Sequence, residues 1–371
     1  MKTKQLPMGW KEVELGEIFE YQPKTGRKAG EGLKEGDNKF FTSSTKQTKS
    51  INDFDFDGEY LIFPTGGQAG IHYCNERFSS SNDCLVVLIK GVLTKYVYYY
   101  LRAKLYLLEE GFKGAGLEHI SKNYINKIKI PLPPLPTQKK IVQILEQAEK
   151  LKQQREKANR LMDDYLKSVF NEMFFNEDFE MEDLNEICNK IIDIEHKMPK
   201  KVEKGIPFLS AKDIVNGEID FRKVKYISEE DHIRLNSRCN PEKGDLLYSR
   251  IGTIGIARKI NTEKKFTISY SLILIKPVFD KVDNIYLEHA LNSNFVFSQA
   301  KQHTRGIGVP DLNMGEIKSF KIPLPPLPLQ KKFANIVEKV ERIKEKQKQS
   351  KEELDNLFSA LMQKAFRGEL V

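Results

Sequence analysis

The chain has 371 residues, of which 40% are hydrophobic and 30% charged, and its formal net charge is +8. This length accommodates two or three domains, and no run approaches the roughly 18 consecutive apolar residues of a membrane span. Because the N-terminus has no apolar segment of the signal-peptide type, we expect a cytoplasmic protein. The basic balance suits a polyanionic partner, although mixed Lys and Glu are also typical of a solvated surface.

The first part of the chain predicts a domain of mixed helices and strands. Apolar runs predict strands at 57–63 and 84–89, and residues 126–131 return to strand. Between them, the tyrosine-rich segment 94–110 predicts a helix whose aromatic stripe is typical of a core face.

A proline-rich string marks the end of this domain and occurs twice. Residues 129–140 read KIPLPPLPTQKK and residues 321–332 read KIPLPPLPLQKK, so eleven of twelve positions match at an offset of 192. A long segment without Gly or Pro follows each copy. The chain is therefore one unit used twice, a domain followed by a helix.

Each helix is predicted to run for about 38 residues, or about 57 Å. Proline makes the string a stiff lead-in, and Thr137 is the expected N-cap of the first helix. Apolar residues then recur at steps of three and four, which predicts a coiled-coil seam. Nine positions of each helix form this seam. Among them are Ile144, Leu151, Arg155 and Met162 in the first helix, and Ile336, Ile343, Gln347 and Leu354 in the second.

The second part of the chain repeats the order of elements. Strands are predicted at 245–249, 267–275 and 318–323, with a helix at 284–300. The predicted fold class is α+β, with two similar domains and two long helices that form an antiparallel coiled coil. The domain boundaries are 1–133 for the first domain, 134–175 for its helix, 176–325 for the second domain and 326–371 for the second helix and tail.

A polar residue occupies the middle of each predicted seam. Arg155 and Gln347 are both the fifth of nine seam positions, so an antiparallel pair would bring them together and fix the register. The alternative is that Arg155 extends outward and Gln347 is tolerated.

Two kinds of glycine-containing loop suggest contact with a ligand. The first follows a strand in each copy, at 65–70 and 249–255, and the second is a basic residue before G-x-G, at 113–116 and 305–308. Backbone amides beside a cation suit phosphate, and Gln or Arg can reach base edges, although a plain tight turn explains the first kind equally well. The candidate DNA-binding residues are Lys24, Arg27, Lys28, Lys46, Lys49, Gly67, Gln68, Lys113, Lys212, Ser249, Arg250, Thr253 and Arg305.

Catalytic and metal-binding signatures are missing from the sequence. It has neither a nucleotide-binding P-loop nor the N-P-P-[FY] motif of amino-methyltransferases. Asp311 and Glu316 resemble a nuclease motif, but the spacing is short and the first copy has His119 and Tyr124 there. The four cysteines, Cys74, Cys84, Cys188 and Cys239, are not spaced as zinc ligands are. We expect them to be reduced and mostly buried.

These features together resemble the specificity subunit of type I restriction-modification systems. The resemblance lies in the opening segment 10–18, the repeated IPLPPLP-x-QKK string with its long helix, and the segment 245–255, and it covers essentially the whole chain. It departs modestly at Phe179, where the first copy has Trp10, and at Leu329, where the first copy has Thr137.

The resemblance implies a non-catalytic subunit without a cofactor of its own. Each domain would read one half of a split double-stranded DNA target, and the helices would act as a spacer. Two methyltransferase (modification) subunits would dock on the helices, and restriction (translocase) subunits would join them.

Two other interpretations stay open at this point. A coiled-coil adaptor with two protein-binding domains accounts for the duplication, but not for the basic charge or the paired basic loops. An enzyme with an unfamiliar site is the other, and no His, Ser or carboxylate constellation is shared by the two copies.

Overall fold

The computed structural model describes residues 6–114, 118–175, 177–195, 198–215, 217–304 and 309–370. The chain divides into two compact units, one made of residues 1–157 and 347–371 and the other of 158–346. Each unit contains one domain of mixed helices and strands and one half of each long helix. The predicted fold class is confirmed, and the division between the units falls inside both helices.

The elements of the first copy follow in chain order. Its strands are β1 (Lys11–Glu14), β2 (Phe19–Tyr21), β3 (Asn38–Phe41), β4 (Lys49–Ile51), β5 (Glu59–Pro64), β6 (His72–Asn75), β7 (Phe78–Ser80), β8 (Cys84–Ile89) and β9 (Lys129–Leu132). Its helices are α1 (Leu15–Ile18), α2 (Thr94–Ala103), α3 (Tyr106–Glu109), α4 (Lys122–Asn126) and the long α5 (Leu135–Phe174).

The second copy repeats this order with one more strand and with a helix among its sheet strands, and its counterpart of α1 is a short 3-10 helix, Leu184–Ile187. Its strands are β10 (Met181–Asp183), β11 (Cys188–Ile192), β12 (Lys201–Val202), β13 (Ile206–Leu209), β14 (Lys225–Ile227), β15 (Leu246–Ser249), β16 (Ala257–Lys259), β17 (Thr267–Ile268), β18 (Leu272–Pro277) and β19 (Lys321–Pro323). Its helices are α6 (Glu229–Asn236), α7 (Asn284–Leu291), α8 (Asn294–His303), α9 (Met314–Lys318) and the long α10 (Leu327–Ala365).

The sheets of the two copies have the same topology. The order β2-β8-β5-β6 in the first copy corresponds to β11-β18-β15-β16 in the second, and β4-β3-β7 corresponds to β14-β13-β17, to which β12 adds an edge. In both, one parallel pair occurs, β3 with β7 and β13 with β17. The predicted strand at 267–275 is two strands in different sheets, because residues 269–271 form a turn held by the Ser269 carbonyl.

The central strands of the sheets are apolar at nearly every position because each has a hydrophobic core on both of its faces. In β8, Val87 and Ile89 pack on the helical side with Tyr96, while Cys84 and Val86 enter a smaller cluster around Phe78. A strand covered on both faces needs apolar residues at every position, which explains the CLVVLI run. In the second copy Leu246 and Tyr248 face one core and Leu247 the other.

The long helices begin inside the proline string, two residues before the expected N-cap. Helix α5 starts at Leu135, so Pro136 lies in the first turn, where its missing N–H has no intrahelical partner to lose. The prediction of Thr137 as N-cap is therefore wrong. The lengths of 40 and 39 residues agree with the predicted length.

A buried glutamine fixes the start of each long helix to its own domain. Gln138 accepts a hydrogen bond from the Leu93 N–H (3.0 Å) and donates to the Pro133 carbonyl (2.9 Å). In the second copy, Gln330 accepts from the Asp283 N–H (2.8 Å) and donates to the Pro325 carbonyl (2.8 Å). Both N–H groups precede the first turn of a domain helix, α2 or α7. We call each arrangement a glutamine clamp.

Ion pairs give the direction in which the two long helices pack. In the first unit, Lys152 pairs with Asp355 (2.6 Å) and Glu156 with Lys351 (3.6 Å), so the partner number falls by four as the first rises by four. In the second unit, Lys344 pairs with Asp163 at 2.6 Å. This pair is equivalent to Lys152 and Asp355 at the repeat offset. The helix halves therefore pack antiparallel within each unit.

This register corrects two predictions about the seam. Leu151 and Ile343 are half-exposed (51% and 48%), and the residues that face the other helix are their neighbours Lys152 and Lys344. The register in the first unit also places Arg155 level with residue 352, about five residues from Gln347, so the predicted meeting of the two is displaced. A one-residue step rotates a helix position by about 100°, which periodicity alone does not resolve at a wide apolar face.

The other seam positions lie closer to prediction. Met162 and Ile336 pack against the core of the second unit, and Ile144, Arg155, Gln347 and Leu354 are half-buried. Among the residues that the structure describes, no helix is long and apolar enough to cross a membrane.

A half-buried histidine, His289, is expected to make the stability of the second unit depend on pH. The His289 ring lies between Phe170 (centroids 6.2 Å apart) and Phe333 (5.0 Å). Burial, with nearby Lys344 and Arg258, lowers its pKa from 6.5 to about 4. Below pH 6.5 this histidine is protonated in the unfolded chain but stays neutral in the folded unit. The free energy of unfolding therefore decreases as the pH falls towards 4.

We expect the free energy of unfolding to fall by up to about 3 kcal/mol over this range. H289Q removes this component, and denaturant unfolding at a series of pH values measures it. H303Q, at an exposed histidine that lies 3.2 Å from the Glu316 carboxylate, measures how much pH dependence a surface histidine contributes. Equal pH profiles for wild type and H289Q would contradict the assignment.

Candidate nucleic-acid interface

The glycine-containing turn after β5 is hydrogen-bonded to the segment that precedes α4. The Ile120 N–H donates to the Thr65 carbonyl (3.1 Å), and the Gly67 N–H donates to the Glu118 carbonyl (3.3 Å). Gly67 has φ +83°, a left-handed conformation that favours glycine.

The turn after β15 is fastened in the same way. The Leu312 N–H donates to the Arg250 carbonyl (3.0 Å), and the Gly252 N–H donates to the Pro310 carbonyl (2.9 Å). Gly252 has φ +80°. The segment residues differ from those of the first copy by 192, the offset of the repeat, and the turn residues by 185. The two copies therefore carry the same two-bond loop bridge, which we call the turn bridge.

Two further loops lie beside the first turn bridge. His72, on β6, contacts the Ser44 carbonyl (2.9 Å) through Nε2, which holds the loop 42–48 against the sheet. Burial lowers the pKa of His72, which keeps this side chain a neutral donor. Lys113 exchanges two backbone hydrogen bonds with His119 (3.0 and 3.1 Å).

A cavity of about 330 Å³ opens beside this bridge. Lys24, His119 and Lys122 contribute its basic lining, and Cys84 and Val86 are among the apolar residues that line it. The Lys122 ammonium also lies 4.2 Å from the centroid of the Tyr21 ring, a distance typical of a cation–π contact. The surface combines positive charge with exposed backbone, as expected of a nucleic-acid contact.

Most candidates in the first domain are exposed, and two are held by other groups. Arg27 pairs through Nε with Asp55 (2.7 Å), and Lys49 donates to the Ala29 carbonyl (2.7 Å), so both brace neighbouring loops. Burial of Asp55 is outweighed by hydrogen bonds from Arg27 and Ser79, which lower its pKa. The exposed candidates are Lys24, Lys28, Lys46, Gly67, Gln68 and Lys113.

The candidates of the second domain fall into an exposed group and a buried group. Lys212 and Thr253 are exposed. Ser249 and Arg250 are buried (0% and 7% exposed). Ser249 Oγ accepts the Ile256 N–H (2.9 Å), and Arg250 donates to the Tyr270 carbonyl (3.0 Å). Both side chains hold the turn from inside, which does not support their prediction as DNA contacts. Arg305 lies outside the described residues.

Sequence reasoning did not select His119, Asp311 or Lys122, which the turn bridges place beside the candidate loops. The alignment at offset 192 pairs His119 with Asp311, and that pairing could have pointed to both. Within the described ranges, no cluster of three or more His, Cys, Asp or Glu side chains is arranged to hold a metal ion. All four thiols are free and buried, as expected, and burial raises the pKa of Cys84, Cys188 and Cys239 to about 12.

A family model described as the type I restriction modification DNA specificity domain matches residues 7–160 and again residues 176–356. The type I restriction enzyme MjaVIII specificity subunit of Methanocaldococcus jannaschii is 23% identical over 99% of this chain and 94% of its own length. The EcoDI specificity subunit of Escherichia coli is 22% identical over 100% of this chain and 90% of its own.

Solved structures show the same fold at low identity. The S subunit of a type I restriction-modification system from M. genitalium has a TM-score of 0.60 and 15% identity, and the match covers 99% of this chain and 98% of that one. A chain from a study of complex assembly and conformational transition in a type I system has a TM-score of 0.57 and 18% identity, over 99% and 100% of the two chains.

Proposed function

Because this chain belongs to the family of type I restriction-modification DNA specificity proteins, we propose that its two domains read the two halves of a split DNA sequence. Specificity subunits are the non-catalytic members of their complexes, and so is this chain. The observation that carries the proposal is the turn bridge, which occurs in both domains with the same two hydrogen bonds but different side chains around it. The same frame with different side chains suits two readers of different half-sites, so we expect a non-palindromic target.

The first reader has the charge that a DNA backbone requires. Lys24, Lys46 and Lys113 are exposed on loops that lie beside the first turn bridge, and Gln68 lies at the tip of that turn. Lysines fix the protein on phosphates, whereas a tip glutamine can reach a base edge. DNA as target also implies action in the cytoplasm.

We further propose that two methyltransferase subunits dock on the long helices. In the first unit the register brings Leu151 to within one residue of the level of Leu357, and these are 51% and 50% exposed. In the second unit it brings Ile343 to within one residue of the level of Tyr165, and these are 48% and 51% exposed. Leu151 and Tyr165 correspond to Ile343 and Leu357 at offset 192, so the two exposed apolar pairs are repeat-equivalent.

Two equivalent apolar surfaces suit two copies of one partner. We name them the first and second docking pairs. The partner would supply S-adenosylmethionine and the methyl transfer, and a restriction subunit would join the complex it forms with this chain.

Replacing three loop lysines tests DNA recognition. We expect K24Q/K46Q/K113Q to weaken binding to duplex DNA and to reduce the slope of log K against log salt by about 3, since each phosphate contact contributes about 0.9. Fluorescence anisotropy of the full chain with its methyltransferase, at a series of salt concentrations, measures both quantities. K150Q/K157Q/K364Q removes the same charge from exposed positions of the long helices and is the control.

Equal slopes for the two triple variants would contradict the lysine assignment. Wild-type binding that lacks salt dependence would favour the adaptor alternative, in which both domains bind protein.

A further inference from the structure

We infer that His119 and Asp311 each read a base, one in each half of the target, and that both do so as hydrogen-bond acceptors for an amino group. This inference rests on the proposed DNA-reading function and specifies the base edge. The two residues occupy the same place in the two copies. Each lies between the two backbone hydrogen bonds of its turn bridge, and each is exposed.

The backbone of each residue is held on the scaffold from the neighbouring positions. His119 exchanges two hydrogen bonds with Lys113 (3.0 and 3.1 Å), and its neighbours Glu118 and Ile120 bond the glycine turn. Around Asp311, Pro310 and Leu312 make the equivalent bonds. A side chain on such a frame is presented in a defined direction, which base recognition requires.

Hydrogen bonding fixes which ring nitrogen of His119 is the acceptor. The ring Nδ1 lies 3.1 Å from the Thr65 carbonyl oxygen. A carbonyl only accepts, so Nδ1 carries the hydrogen, and the neutral ring has an acceptor at Nε2. The residue also lines the cavity that contains Lys24 and Lys122, so it lies on the basic surface of this domain.

Asp311 is also a hydrogen-bond acceptor, but through a carboxylate. Its carboxylate, when ionised, accepts hydrogen bonds and donates none. Phosphate repels a carboxylate, so this position does not suit a backbone contact. The DNA groups complementary to it are the exocyclic amines that cytosine and adenine present in the major groove.

The residue next to each proposed base-reading side chain is small where that side chain is large, and large where that side chain is small. A Cβ added at Gly66 would lie 3.0 Å from Cε1 of His119, so a larger residue there would require the imidazole to shift. In the second domain the equivalent position is Ile251, below the smaller Asp311. The pairs Gly66 with His119 and Ile251 with Asp311 therefore occupy the same backbone arrangement with different combinations of side chains. This is the pattern expected where each domain sets its own base preference.

The test maps methylated motifs in cells that contain the full chain and its methyltransferase. D311N keeps the size of the side chain and adds a donor, so we expect base preference to change about 10-fold to 100-fold at one position of one half-site. H119A is expected to lose discrimination by a similar factor at one position of the other half-site. D280N, which makes the same change at an exposed aspartate in the turn after β18, should leave both half-sites unchanged.

Unchanged preferences in both D311N and H119A, with a normal split motif for wild type, would overturn the inference and leave the proposed function intact. Wild type without any split motif would instead contradict the proposed function. Since Asn is isosteric with Asp, D311N decides the question if H119A fails to fold, which circular dichroism of the purified complex shows.

Discussion

L151K/L357K is expected to release one of the two methyltransferase subunits from the complex. Each leucine is about half-exposed, and burying the remainder against a partner contributes on the order of 1 kcal/mol per residue. Lysine at both positions removes that contribution and adds the cost of desolvating two charges. Together these effects should weaken this site at least about 100-fold, and mass photometry measures the resulting stoichiometry.

The second docking pair gives the matching experiment. I343K/Y165K should release the other subunit, and combining the two double variants should abolish methylation while each domain stays folded. Q147K/Q363K places the same charges at exposed polar positions of the same helix halves as the first pair. Complexes that keep two methyltransferase subunits in both double variants would contradict the docking pairs.

Loss of a glutamine clamp is expected to have the largest effect on stability. In Q330L the Asp283 N–H and the carbonyls of Pro325 and Lys281 lose a side-chain partner, and Gln330 is fully buried. Each unsatisfied buried group costs about 1–3 kcal/mol, so we expect the free energy of unfolding to fall by about 3 kcal/mol. Chemical denaturation of the full chain measures the change.

Q138L should act on the first copy by the same mechanism, with a slightly smaller effect because Gln138 has two partners where Gln330 has three. The exposed glutamines nearby supply controls, and Q143L and Q349L should change stability by less than about 0.5 kcal/mol. A destabilisation by Q330L no larger than that of Q349L would show that the clamp is incidental.

The symmetry of the clamps agrees with other contacts at the proline string. The Tyr96 hydroxyl donates to the Pro131 carbonyl (2.6 Å), and the Tyr286 hydroxyl donates to the Pro323 carbonyl (2.5 Å). Each string is thus held by a domain tyrosine and a helix glutamine, which orders the join between a domain and its helix. This requirement explains why the string is the most similar segment of the two copies.

The sequence by itself determined the duplication, the two long helices and some of the strands, among them β5, β8 and β15. The KIPLPPLP string and the offset of 192 appear in a linear comparison, and β8 was predicted with the observed bounds, Cys84–Ile89. The family resemblance also came from contiguous motifs, and the family model confirms it. These features depend on local propensity and on periodicity, which neighbouring residues carry.

Only the tertiary structure decided which side of a helix or turn each residue occupies. Arg250 is held inside by the Tyr270 carbonyl, while Thr253, three residues on, is exposed. Lys152 faces Asp355 across the helix pair, and the adjacent Leu151 faces outward. A partner some 20 or 200 residues away sets each of these orientations. The local pattern fixes the angle of a helix face only to within about one residue, and long-range partners decide the rest.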